Sequence, residues 1–354
     1  MLYSRLGTSG LIVSRLSLGT MTFGTGGGNK AIAKTDPAAA ARILDRAVDA
    51  GVNFIDTADV YSEGQSEEML GQLIRGKRQN LVIATKAGWR SGKPLHRSGL
   101  SAAHLLSSID ESLTRLGTDY TDVYIAHRND DQTPLEETLR ALDAIVRSGK
   151  ARYLGVSNWA PWKVAAALEL QRANGWAPFT HVQMMYHLLG RGIEQEMTGM
   201  LAHYGLGLTA WSPLAGGFLS GKYTRENLAD PNFRLSGFDM IPFDKEHGFA
   251  LVEQMRGIAD AKSVSVAQVA LAWLLSKPAV SSVIIGASKI EQLDDNLAAA
   301  DLSLDGDELA ALDEATAPKP DYPAWVTRVV DQPITNALAA KPGERPTLEA
   351  PNVV

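Results

Sequence analysis

Eight short apolar runs rich in β-branched residues recur along this 354-residue chain, and most are followed by a stretch of helical periodicity. That alternation constrains the fold more than any other feature. The runs are RLSLGT (15–20), NFIDTA (53–58), LVIATK (81–86), DVYIAH (122–127), RYLGVS (152–157), THVQMM (180–185), LGLTAW (206–211) and SSVIIG (281–286). Strands alternating with helices predict a parallel sheet, and the number eight favours closure into a (β/α)8 TIM barrel. The alternative is a doubly wound open sheet. Polar residues end many of the runs: Asp56, Lys86, His127, Ser157, Gln183 and Ser212. A barrel gathers all such ends at one mouth, whereas an open sheet gathers only those beside its switch point.

Capping chemistry supports the helices between. The segment 37–51 follows Asp36, has Pro37 in its first turn and stops at Gly51. In 101–117, Leu105, Ile109, Leu113 and Leu116 fall on one face before Gly117; Leu135, Leu139, Leu142 and Ile145 do the same ahead of Gly149. Three segments break the alternation. Residues 1–13 read as an N-terminal β-hairpin positioned to plug the barrel floor. Residues 212–245 form a long loop after the seventh barrel strand, with Gly216, Gly217 and Gly221 in it. From 316 the chain is rich in Pro, Ala and charge, which predicts a tail after an extra C-terminal helix. The expected organisation is one barrel domain over 1–325 and an extended C-terminal tail over 326–354.

Composition removes several classes of function. A net charge of −6 argues against a nucleic-acid partner, which needs a basic face. The chain has no cysteine, which rules out disulfides, zinc–thiolate sites, Fe–S clusters and thiol nucleophiles. The opening MLYSRLGTSG has no apolar core of signal-peptide length, and the apolar run at 266–275 is too short for a membrane span. The expectation is a cytoplasmic protein with no membrane partner.

The strand ends carry a proton-handling set: Asp56 and Tyr61 in DTADVY, Lys86 on the next strand and His127 on the one after. An isolated tyrosine, with a pKa of about 10, is a poor acid near neutrality. A neighbouring ammonium lowers that value, and a carboxylate keeps the lysine charged and in place. A histidine donating to a polarised carbonyl oxygen completes a set suited to protonating a nascent alkoxide.

With these residues in view, the chain resembles the aldo-keto reductase superfamily from about residue 2 to 325. Five ordered motifs carry the resemblance: LGTSGLIVSRLSLGTMTFG (6–24), GVNFIDTADVYSEGQSE (51–67), VRSGKARYLGVSN (146–158), WSPLAGGFLSGKY (211–223) and GASKIEQLDDN (286–296). The last is similar to the bacterial and channel-β-subunit-like branch. The resemblance implies a catalytic tetrad of Asp56, Tyr61, Lys86 and His127. It implies NADPH as cofactor, with NADH a weaker alternative, bound without a Rossmann fingerprint; the cluster Gly24–Gly28 lacks the spacing of one and reads as a loop after the first barrel strand.

Ser157, Asn158 and Gln183 match positions that bond the nicotinamide carboxamide, and Trp211 stands where many relatives stack a Tyr on the ring. Ser212, Pro213, Leu214, Gly217, Leu219 and Lys222 match a loop over the pyrophosphate. Gly286, Ser288, Lys289, Gln292 and Asn296 match the adenosine end, with Ser288 and Lys289 toward the 2′-phosphate. The substrate is a small carbonyl compound, with Phe23, Trp89, Arg128 and Trp159 as an expected rim; Arg128 suits a carboxylate or phosphate.

The implied activity is reversible reduction of an aldehyde or ketone to the alcohol, with Tyr61 as general acid. Two other readings compete. One is an NADPH-binding regulatory subunit with little turnover. The other is a metal-dependent isomerase or hydrolase, which the strand ends support poorly: only Asp56 and His127 are available as ligands, with a lysine between them. No metal is expected.

Overall fold

A computed structural model describes residues 1–26, 32–228, 230, 234–237 and 239–326. Eight strands close into a parallel barrel: β3 (Leu16–Gly19), β4 (Phe54–Asp56), β5 (Val82–Ala87), β6 (Thr121–Ala126), β7 (Ala151–Ser157), β8 (Phe179–Met185), β9 (Gly207–Trp211) and β10 (Val280–Ile285). Closure is decided by β10, which pairs with β9 through Val283–Ala210 and with β3 through Val283–Leu16. That excludes the open sheet. Every barrel strand falls within its predicted apolar run, allowing one residue at either end.

The helices form where caps and periodicity agree. Asp36 caps α1 (Pro37–Asp49) by accepting from Ala39 N. Ser101 caps α3 (Ala102–Leu116), which ends at Gly117 in the left-handed region at φ 62°. Between them α2 (Gln65–Leu73) follows β4; α4 (Leu135–Arg147), α5 (Pro161–Asn174) and α6 (Met197–Tyr204) follow β6, β7 and β8. The described part of the long segment after β9 is not a plain loop. It contains a 3-10 turn over Ala215–Ser220 and a short helix, α7 (Arg234–Gly237), before α8 (Lys245–Lys262) and α9 (Val266–Ser276). After β10 come α10 (Ile290–Ala298) and the extra helix α11 (Gly306–Ala315), which opens with a reciprocal Asp305–Glu308 capping box. Among the described residues no single helix is long and apolar enough to cross a membrane.

Side chains alternate along each barrel strand, and two apolar clusters separate accordingly. Leu16, Leu18, Ile55, Ile83 and Tyr124 belong to the large cluster shared with the helices. Phe54, Val82, Ala84, Val123 and Ile125 form a second cluster, which Leu6 and Val13 of the N-terminal hairpin join. The hairpin pairs β1 (Tyr3–Arg5) antiparallel with β2 (Ile12–Ser14) and docks through Ser4 Oγ to the Ser281 carbonyl at 2.6 Å and Thr8 N to the Gly205 carbonyl at 2.9 Å. Its turn approaches so closely that a Cβ on Gly7, at φ 63°, would sit 2.5 Å from the Thr180 carbonyl oxygen.

Met1–Thr316 is one compact unit; the chain from Ala317 onward clusters separately. Residues 317–326 of that second unit include a cis Tyr322–Pro323 bond, and the expected tail beyond 326 lies outside the described residues.

Candidate active site

Asp56, Lys86 and His127 lie at the C-terminal ends of the adjacent strands β4, β5 and β6, two residues above Phe54, Ala84 and Ile125 on the same face. Lys86 is fully buried, and its Nζ donates to Asp56 Oδ1 at 2.6 Å, to the Thr57 carbonyl at 2.7 Å and to Tyr61 Oη at 3.0 Å. Three acceptors use all three ammonium protons. The other oxygen of Asp56 accepts from Gln183 Nε2 at 2.8 Å.

Tyr61 reaches this lysine because the chain after β4 turns abruptly. Ser62, Glu63 and Gly64 all adopt positive φ, at 50°, 57° and 95°. For Ser62 and Glu63 that conformation costs about 1–3 kcal/mol each and needs support from the surroundings. Ser62 Oγ supplies some by donating to the Phe23 carbonyl at 2.8 Å, and Ser66 Oγ by donating to Thr20 O at 2.8 Å. The Tyr61 ring meets His127 edge-on at 5.8 Å, and Lys86 Nζ lies 4.6 Å from its centroid.

Electrostatics separate the roles. Burial pulls Lys86 down, but Asp56 and then Tyr61 outweigh it, so the ammonium stays charged. Burial, followed by the cations Lys86 and Arg128, holds His127 well below its ordinary value. It is therefore a neutral imidazole, and its Nδ1 has no partner among the described residues. For Tyr61 the expectation is corrected. Lys86 does act to lower the phenol, but burial outweighs it and the net direction is upward.

Asp59 is a residue of this turn to which sequence reasoning assigned no role. It is buried, neither carboxyl oxygen has a partner among the described residues, and burial, with Glu67 adding to it, pushes it up to about 8. Glu67 is itself fully buried and paired with Arg115 at 2.7 Å.

The residues expected to hold a cofactor sit on the next strands round. Ser157 ends β7 and registers with Gln183 on β8; Trp211 ends β9 and registers with Met185. Asn158, at φ 60°, donates to Ser157 Oγ at 2.9 Å and to the His127 carbonyl at 3.2 Å, and its Oδ1 accepts from Trp211 Nε1 at 3.1 Å. Ser212 adopts φ 54° and caps the following turn by accepting from Gly216 N. Pro213 is buried and Leu214 partly so. A side chain at Gly217 would meet Lys222 Nζ at 3.2 Å.

Leu219 lies in this turn as expected, with its side chain fully buried in the core. The apolar interior against α9 takes that side chain because the 3-10 turn points it inward. Gly286 has open space around it, and Ser288 bonds Gln292 Oε1 through both N and Oγ. Lys289 is exposed at the start of α10, whose N-terminus has no side-chain cap, and Asn296 is buried in its last turn.

Of the expected rim, two members are accessible. Trp89 is 47% exposed, its ring edge-on to His127 at 6.2 Å, and the Arg128 guanidinium lies 5.3 Å from the indole centroid. Phe23 and Trp159 do not form an open rim. Phe23 is fully buried, and Trp159 packs edge-on against Phe179 while its Nε1 donates to the Arg128 carbonyl. Large apolar rings just after strand ends were drawn under the loops by the area available there to bury. Part of the Gly24–Gly28 cluster lies outside the described residues. Among the described residues no group of three or more His, Asp or Glu is arranged to hold a metal ion.

The aldo/keto reductase family model matches residues 15–317. This chain belongs to the aldo/keto reductase family. It is 40% identical over 316 residues to a probable voltage-gated potassium channel subunit beta of Oryza sativa subsp. japonica, covering 85% of this chain and 92% of the relative. It is 34% identical over 343 residues to the versiconal hemiacetal acetate reductase of Aspergillus parasiticus, covering 91% and 98%. Identity to the uncharacterized oxidoreductase YrpG of Bacillus subtilis is 37% over 326 residues, covering 88% and 95%. The aldo/keto reductase barrel thus accounts for the fold and for an oxidoreductase setting.

Proposed function

We propose that this protein is an NADPH-dependent reductase of aldehydes or ketones, acting reversibly between carbonyl and alcohol. The observation that carries the reading is the single ammonium of Lys86 shared between Asp56 and Tyr61 Oη in a buried cluster beside a neutral His127. The nicotinamide, when bound, supplies the hydride.

The remaining work belongs to the chain. Tyr61 Oη gives its proton to the carbonyl oxygen. Lys86 stabilises the phenolate left behind, and Asp56, held on its far side by Gln183, keeps the lysine charged and aimed. His127 donates one N–H to the same carbonyl oxygen and polarises it. The three residues at 157, 158 and 183 would bond the carboxamide, Trp211 would cover the ring and Lys222 would meet the pyrophosphate. The open N-terminus of α10, flanked by Ser288 and Lys289, suits the 2′-phosphate and so NADPH over NADH. The donor set therefore fits the cofactor.

Steady-state NADPH consumption against aldehydes, ketoses, keto acids and keto-steroids tests the reading. Turnover with at least one class is expected, with quenching of tryptophan emission as NADPH binds. Failure of calorimetry to detect NADPH or NADH binding would overturn it. A second reading, an NADPH-binding regulatory subunit, draws support from the likeness to channel β subunits. Capture of membrane partners together with negligible aldehyde turnover would favour it.

A further inference from the structure

Arg128 directly follows His127 and is half-buried at the mouth. Its Nε donates to the Gly88 carbonyl at 2.9 Å and its Nη1 to the Asn129 carbonyl at 2.9 Å. Among the described residues no carboxylate pairs with it, although two stand within three positions. Asp130 is occupied by Leu100 N, Gln132 N and Thr133 Oγ1, and Asp131 by Asn129 and Lys163. Asp130 attracts Arg128 through space, but with no carboxylate oxygen in contact the half-buried guanidinium keeps donor capacity for an anion. The loop after β5 adds to the same sign: residues 88–99 contain Arg90, Lys93, His96 and Arg97 and no acid. Of these, Arg97 is paired with Glu111, and Arg90 bonds the Lys93 carbonyl.

Resting on the carbonyl-reductase reading, we propose that the substrate is an anionic carbonyl compound, its carboxylate or phosphate held by Arg128 and its body lying along Trp89. The indole neighbours both groups: its ring is edge-on to His127 at 6.2 Å between centroids, and the Arg128 guanidinium carbon lies 5.3 Å from its centroid. A substrate that reaches both groups has its carbonyl at His127 and its anion at Arg128, with a short spacer between them. An apolar or aryl spacer lies against the exposed face of Trp89, while the planar guanidinium uses Nη2 toward the acid.

The test pairs charged and neutral substrates of similar shape: para-carboxybenzaldehyde with its methyl ester, and para-formylphenyl phosphate with its dimethyl ester. The expected result is a preference in kcat/KM of about ten- to a hundredfold for the charged member, mostly in KM, as a charge-assisted bond gives. The carboxylate and phosphate pairs tell which acid is preferred. Arg128→Gln should collapse that ratio, and Arg128→Lys should restore part of it. Should Arg128→Gln fail to fold, the wild-type protein still decides, because the preference must shrink as salt screens the pair. Turnover of the neutral aldehydes without a preference, a ratio insensitive to salt, or equal losses on both members in Arg128→Gln would overturn the proposal alone. Absence of turnover with every aldehyde, together with absence of cofactor binding, would overturn the reductase reading and this proposal with it.

Discussion

Two positions separate Phe54 from Asp56 on β4, Ala84 from Lys86 on β5, and Ile125 on β6 from His127 just past its end, and each pair follows the alternation of one face. The lower members pack with Leu6 and Val13 of the hairpin into a closed apolar cluster. The upper members are also buried yet charged or polar; Asp56 and Lys86 are satisfied by one another and by Tyr61, Thr57 and Gln183, whereas His127 Nδ1 has no partner among the described residues. The same strand geometry thus serves opposite ends. The floor contributes hydrophobic stability. The mouth holds groups whose desolvation is unfavourable, and it can hold them because the floor and the helix layer fix the strands that carry them.

The sharpest break between the two layers is Tyr61→Phe. It keeps the ring and removes the proton, so turnover should fall by about 10²–10⁴-fold while thermal stability and NADPH affinity stay close to wild type. Lys86→Met should act on the same proton transfer, and the double variant should lose little more than the worse single one. Losses that simply multiply, or near-normal turnover of Tyr61→Phe, would remove these residues from the chemistry.

The converse change is Phe54→Ala in the floor. It should cost about 3–5 kcal/mol in urea unfolding and leave the turnover of the folded fraction nearly unchanged. A large rate loss without destabilisation would show that the layers are coupled more tightly than their contacts suggest.

Between the layers sits His181, fully buried on β8, with both ring nitrogens lacking a partner among the described residues. Burial, with Lys86 adding to it, lowers it to about 3. Gly155 makes room for it, since a Cβ there would lie 2.3 Å from His181 Cε1. The unfolded histidine takes up a proton near its ordinary value of about 6.5, and the folded one does not until about pH 3, so this contribution to stability is present above 6.5 and is lost as the pH falls. The slope is up to about 1.4 kcal/mol per pH unit for this group. His187, lowered by burial to about 4, adds to it. Urea unfolding from about pH 7 down to 5 should show the decline, and His181→Gln should flatten it; an unchanged slope would mean that His181 protonates in the folded state.

The smallest effect is expected at the exposed end of the upper face. Lys289→Met should weaken NADPH by about three- to tenfold and NADH less, read by calorimetry. Equal losses for both would remove Lys289 from the 2′-phosphate.

Much of this was legible along the chain. Eight short apolar runs rich in β-branched residues, Asp36 at a cap, and Gly117 after a helix are local signals, decided by neighbours within a few residues. Asp56, Tyr61, Lys86 and His127 were legible as strand-end residues because a parallel barrel sends every strand's C-terminus to one face. Asp59 was visible as a second acid three residues after Asp56, but nothing local separates a buried carboxyl without a partner from a solvated one.

Local pattern therefore determined the strand and helix order, the hairpin at the start and which residues reach the mouth. Closure of the barrel decided the rest. It set Gln183 against Asp56 across 127 positions, drew Phe23, Trp159 and Leu219 into the interior, and let burial outweigh Lys86 in setting the Tyr61 phenol. Burial and long-range pairing depend on which surfaces meet when β10 joins β3, and no window of neighbouring residues contains that information.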